Sequence, residues 1–214
     1  MTFVPDPATL AAFLLAAVVL TITPGPDMTL FLGRTLSSGR KAGFAAMLGA
    51  SSGILVHTSL AAFGISALIA ASPEAFLVLK FAGAAYLIFL AVQAVVSGSA
   101  LSVKPGRPAR RRSTFGHWLT GLGINLLNPK IILFFVTFLP QFVSASDPHA
   151  AGKLVFLGLL FIAVAIPVSV PMILAADTLS GVLMRRPKVT RAIDWLFAGV
   201  FSAFAIRILV AQGR

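Results

Sequence analysis

ATLAAFLLAAVVLTITPGPDMTLFLG, residues Ala8–Gly33, decides the fold. It opens as an apolar run of the kind that crosses a bilayer, where a helix needs about 20 mostly apolar residues. The run is then interrupted by Thr23-Pro24-Gly25-Pro26-Asp27. Each proline removes a backbone donor and clashes with the preceding turn, and the residue before it is pushed out of helical geometry. Gly25 adds backbone freedom. The segment therefore predicts a broken helix. Irregular backbone at membrane depth persists only where protein or a water-filled cavity satisfies it, so the break points to a cavity. Asp27 adds a carboxylate that costs about 2.5–3.5 kcal/mol at the centre of a span. The plainer alternative is a helix end at the cytoplasmic interface, with Asp27 capping the next turn.

The rest of the chain has the same character. Of its 214 residues 58% are hydrophobic and 11% charged, and the mean hydropathy is +0.97. A soluble domain of this length cannot hide so much apolar surface. The net charge of +11 raises nucleic acid as a partner. The basic residues instead sit in short loops between apolar runs, with no basic-aromatic groove sequence, so nucleic acid is not expected. There is no cysteine, which excludes disulfides and thiolate metal sites. His57, His117 and His149 show no ligand spacing, and no metal or cofactor is expected. Met1–Asp6 has no basic side chain and no small-residue cleavage site closes the run that follows, so the first run reads as a retained span rather than a signal peptide.

Six candidate spans follow, Ala8–Gly33, Gly43–Ala71, Ala75–Val96, Phe115–Val143, Lys153–Ala176 and Ile193–Ala211. Arg34, Arg40 and Lys41 lie in the first connection. Lys104, Arg107, Arg110, Arg111 and Arg112 lie in the third, and Arg185, Arg186, Lys188 and Arg191 in the fifth. These are twelve of the seventeen basic residues, and positive-inside ordering then puts both termini outside. The opposite side has Lys80, Lys153 and Arg214 with Asp6, Glu74 and Asp147, while Lys130 and Arg207 fall within spans.

The expected fold is one all-α membrane domain over residues 1–214: a repeat over about 8–96, a basic cytoplasmic linker over about 97–114 and a second repeat over about 115–211. Phe81-Ala82-Gly83 in the third span echoes Phe197-Ala198-Gly199 in the sixth, and the first and fourth spans both carry breaks. Two three-span halves run in opposite directions, the inverted-repeat layout of many secondary transporters.

The fourth-span break is Asn125-Leu126-Leu127-Asn128-Pro129-Lys130, followed by Phe138-Leu139-Pro140-Gln141-Phe142. Pro129 frees carbonyls, the asparagines offer donors and acceptors, and Lys130 is a cation inside a span. Alternatively the helix starts at Pro129 and Lys130 snorkels. Gly49-Ala50-Ser51-Ser52-Gly53 matches G-x-S-x-G in form, but in an apolar helix it reads as a close-packing face. His57 lies one turn beyond Gly53 and is either a pathway or proton-relay residue or a packed, hydrogen-bonded histidine. Pro167 and Pro171 are expected to kink the fifth span. Asp177 and Asp194 are expected to pair with Arg185 or Arg191 at the interface, and Arg207 to snorkel.

The motif Thr23–Asp27, with Gly43 through Gly49, Gly53 and His57, resembles the start of the lysine exporter (LysE/RhtB) superfamily. Lys80, Gly83 and Ala84-Ala85-Tyr86-Leu87 are similar to its third span, and Asn125–Lys130 with Phe138–Phe142 to its fourth. The resemblance implies a bacterial inner-membrane exporter of amino acids or related metabolites driven by the proton motive force, and it supplies the outward direction. Pro24, Gly25, Pro26, Asp27, Asn125, Asn128, Pro129 and Lys130 are the expected substrate-binding residues. Asp27 is assigned to the substrate ammonium, and Lys130 or a half-helix N-terminus to its carboxylate. Without substrate, Asp27 and Lys130 are expected to pair with each other. Protons and the lipid bilayer are the other partners, and a homodimer is left open. No G-x-x-x-x-G-K-[ST] loop occurs, so ATP hydrolysis is not expected. The reading from another class is an intramembrane hydrolase using Ser51 or Ser52 with His57, or Asp27 with Asp177.

Overall fold

Proline opens five of the helices, because its fixed φ suits the first helical position, where its missing N–H would go unpaired anyway. They are α1 (Pro7–Ile22), α2 (Pro26–Ser38), α5 (Pro73–Ser97), α7 (Pro129–Leu133) and α10 (Pro187–Ala211). The others are α3 (Arg40–Leu60), α4 (Ser66–Ala71), α6 (Thr114–Leu126), α8 (Ala150–Leu174) and α9 (Ala176–Arg185). A π turn at Ala61–Ile65 joins α3 to α4, and α7 continues through a π turn, Phe134–Phe138, into a 3₁₀ turn, Leu139–Phe142. The computed structural model describes residues 4–97, 113–144 and 147–211, and these contain no strand. The basic linker lies outside the described residues, as do Arg214 and the side chains of Lys80 and Arg207.

Among the described residues, four helical stretches are long and apolar enough to cross a membrane: Arg40–Ile65, Leu77–Val96, Ala150–Leu174 and Pro187–Ile206. Two bent pairs reach the same length and apolarity. α1 and α2 meet at 49°, and α6 meets Pro129–Phe142 at 53°. Taking each bent pair as one span gives six. The expected breaks in the first and fourth spans are both present. α8 runs unbroken through Pro167 and Pro171.

Glycines set the closest approaches. α3 and α6 run in parallel and touch backbone to backbone: a Cβ on Gly49 would overlap the Trp118 carbonyl, and one on Gly121 the Ala46 carbonyl. The same seam brings Gly53 under Asn125, whose Oδ1 would lie 2.5 Å from a Cβ there. The G-x-S-x-G stretch is thus a packing face. An aromatic core fills the other side, where Phe13 of α1 meets Phe142 edge-on at 5.4 Å and Phe134 meets Phe161 of α8 at 5.1 Å. Outward-facing Phe63, Val78 and Val96 are 75%, 67% and 74% exposed, a surface suited to lipid rather than water.

Two end-to-end relations follow from contacts. Arg40 donates to the Leu174 carbonyl at 3.0 Å, so the first connection lies beside the end of α8. The parallel α3 and α6 start at the same end of the bundle. The echoed Phe-Ala-Gly triplets, by contrast, are not equivalent in packing. Phe81 is exposed and Phe197 buried, and Gly83 packs against Thr137 while Gly199 has open space around it. That triplet is no evidence for a repeat. Asp177 and Arg185 are exposed on α9, a short amphipathic helix that the sequence reading took as loop, and Asp194 is buried.

Candidate functional site

The two breaks face each other, and each leaves a carbonyl without its normal partner. In an α-helix the N–H of residue i serves the carbonyl of residue i−4. Pro24 has no N–H for Leu20, and Pro129 has none for Asn125. Side chains from the opposite half of the chain fill both gaps. Lys130 Nζ donates to the Leu20 carbonyl at 2.6 Å and to the Thr23 carbonyl at 2.8 Å. His57 Nε2 faces the Asn125 carbonyl at 3.4 Å, which also accepts from the Asn128 N–H at 3.1 Å. An ammonium at the C-terminal end of α1 also suits the negative end of the helix dipole.

Asp27 sits across from Lys130 in the first turn of α2, where a carboxylate is favoured by the positive end of that helix. Its Oδ2 accepts from Asn125 Nδ2 at 2.9 Å and from Asn128 Nδ2 at 3.1 Å. Asn128 is used at both ends, since its Oδ1 accepts the Lys130 backbone N–H at 3.1 Å and caps α7. Only an amide nitrogen can face a carboxylate, which fixes the orientation of both asparagines. Asp27 Oδ1 and Asn125 Oδ1 are buried with no hydrogen-bond partner. The direct Asp27–Lys130 ion pair is not formed: the lysine is taken by main-chain carbonyls and the aspartate by amides.

These groups form the polar wall of a cavity of about 60 Å³. A water needs about 10–15 Å³ on such a measure, so the space suits a few waters or a small solute. Thr23, Gly25, Asp27, Asn125, Asn128 and Lys130 line it together with the apolar Phe31, Met47, Ile54, Phe161 and Met172 and the hydroxyls of Ser51 and Ser169. Pro24, Pro26 and Pro129 set the breaks without lining the cavity. Gly25 has φ −171° and ψ −172°, extended backbone open to any residue, so its freedom is unused. His57 lies behind the wall, stacked on Phe135 with ring centroids 5.8 Å apart.

Sequence reasoning missed the contribution of α8. Ser169 is buried on the cavity wall, and the signal was there: a hydroxyl between Pro167 and Pro171 in an apolar helix. The hydrolase arrangements are absent. Ser51 Oγ donates to the Met47 carbonyl and Ser52 Oγ to the Leu48 carbonyl, both at 3.0 Å, while His57 turns to Asn125. Asp177 is exposed on α9, away from the cavity that Asp27 lines.

Known proteins resemble the chain in sequence. The family model described as LysE type translocator matches residues 18–212. An uncharacterised membrane protein of Vibrio cholerae is 31% identical over 207 residues, covering 94% of this chain and 96% of its own. A homoserine/homoserine lactone efflux protein of Salmonella typhimurium is 28% identical over 203 residues, covering 95% of this chain and 96% of its own. The membrane protein YrhP of Bacillus subtilis is 35% identical over 142 residues, covering 63% and 68%. No solved structure matches.

Proposed function

Since the chain belongs to the LysE type translocators and is a membrane transporter rather than an enzyme, we propose that it exports small ammonium-bearing metabolites, amino acids or their close derivatives, from the bacterial cytoplasm. The observation that carries this reading is Asp27: one carboxylate oxygen is held by two asparagines and the other is unpartnered, at the wall of a cavity between two helix breaks. An ammonium is the group that best completes such an oxygen. The efflux relative in Salmonella is named for homoserine and its lactone, both of which carry an amine of this kind.

In this reading Asp27 meets the ammonium, Asn125 and Asn128 aim the carboxylate, Lys130 positions the first break, and Pro24, Pro26 and Pro129 keep both breaks open beside Gly25. The reciprocal filling of the Leu20 and Asn125 carbonyls by Lys130 and His57 supports two inverted three-span halves. The breaks at the cavity support access alternating between the two faces of the inner membrane. Protonation of Asp27 would release the ammonium and couple export to proton entry. The basic ends then lie in the cytoplasm and both termini outside.

The test is accumulation of a panel of radiolabelled amino acids in everted membrane vesicles under an imposed proton gradient. Uptake of at least one by the native protein and its loss in Asp27→Asn are expected. Uptake unchanged by Asp27→Asn would remove the proposed site, and no uptake of any amino acid would remove the proposed substrates.

A further inference from the structure

A zwitterionic amino acid needs a partner for its carboxylate as well as its ammonium, and three features of the cavity could provide one. Two are already engaged and the third is opposed by a carboxylate. Lys130 Nζ is held by the Leu20 and Thr23 carbonyls at 2.6 and 2.8 Å. Taking it away would leave the carbonyl that Pro24 cannot serve without a donor, and a buried unpaired polar group is costly. The N-terminus of α7 is closed by the Asn128 side chain, which accepts the Lys130 N–H. The N-terminus of α2 has no side-chain cap, but its first turn carries the Asp27 carboxylate, which would repel a second anion there.

Most side-chain donors of the wall are spent as well, and those left over, the Ser169 hydroxyl and the second N–H of each asparagine amide, are neutral. The two asparagine amides go to Asp27 Oδ2. Thr21 and Thr23 hydroxyls turn back to the Ala17 and Val19 carbonyls at 2.7 and 2.6 Å, and Ser51 turns to Met47. The fully buried wall atoms left without a hydrogen-bond partner among the described residues are acceptor oxygens, Asp27 Oδ1 and Asn125 Oδ1. From this imbalance we infer that the site recognises the ammonium of its substrate and has no cationic holder for a carboxylate, only neutral donors that serve an ester or amide carbonyl equally, so that solutes whose carboxyl is masked bind as well as the free acid. Lys130 is then a positioning residue that holds the first break in shape. This inference rests on the proposed transport of ammonium-bearing metabolites and narrows it.

The experiment is calorimetric titration of the purified full-length protein in detergent. Free amino acids are titrated first, and then the methyl ester, the amide and the N-acetyl derivative of the tightest binder. The ester and amide should bind within about threefold of the free acid, and the N-acetyl compound should show no binding. An ester weaker than the acid by about tenfold or more overturns the inference while leaving the transport reading intact. If no free amino acid, ester or amide binds, the transport reading falls first and the inference with it. Lys130→Gln keeps a donor for the two carbonyls and supplies a second readout. The ratio of ester to acid affinity should stay as in the native protein, and a selective loss of acid binding would return the carboxylate to Lys130.

Discussion

At the scale of single residues, the site depends on matching each orphaned oxygen to a donor. Asp27→Asn removes the charge and turns an acceptor into a donor, so it should abolish transport while leaving protein in the membrane at near-native yield. Transport assay and membrane immunoblot together check this. Lys130→Met should act differently. It strands the Leu20 and Thr23 carbonyls, at about 1–3 kcal/mol for a buried group left unpaired, and should lower the melting temperature in detergent as well as transport. Asn128→Ala removes the α7 cap, worth about 1 kcal/mol, along with one of the two Asp27 partners. Much of this was legible in sequence. Prolines, a carboxylate and an ammonium inside apolar runs are expensive, and their cost announces a site. Their partners were not legible. Opposite charges suggested an ion pair between Asp27 and Lys130, but the carbonyls exposed by Pro24 are equally strong claims on an ammonium, and only the fold decides between them.

At the scale of elements, the breaks are set by what proline cannot donate. Pro24→Ala restores an N–H that can serve Leu20, displacing Lys130 and extending α1 into the cavity. Alanine is the better helix former by about 3 kcal/mol in a helix interior. Transport should fall far more than folding yield, and Pro129→Ala should act alike on α6 and α7. Equal losses in both measurements would make these prolines purely structural. The glycine seam predicts the reverse pattern. Gly121→Ala pushes a methyl into the Ala46 carbonyl and should cost about 1–3 kcal/mol as overpacking, lowering the yield of monodisperse protein before any effect on transport can be read. Spans and breaks were readable because bilayer thickness and proline geometry act locally. α9 escaped because only one face of its ten residues is apolar, and burial of Leu183 against Met28 and Leu32 of α2 depends on tertiary contact. The Phe-Ala-Gly echo misled for a related reason: three matching letters say nothing about which face of a helix they occupy.

At the scale of the molecule, charge placement predicts the orientation. Cysteines introduced at Glu74 and Lys188, both exposed in this thiol-free chain, should react with an impermeant maleimide from opposite sides of the membrane, Glu74 from outside. Labelling of both from one side would remove the six-span arrangement. The seam between α3 and α6 bears on how such a molecule can move. Those helices belong to opposite halves, and their backbones touch directly at Gly49 and Gly121. Parting them would open a dry, close-fitting joint and gain nothing in return from lipid. For the alternating access proposed above, such a joint is suited to be a fixed gatepost, and the short half-helices at the breaks are the candidates for leaves that swing on it.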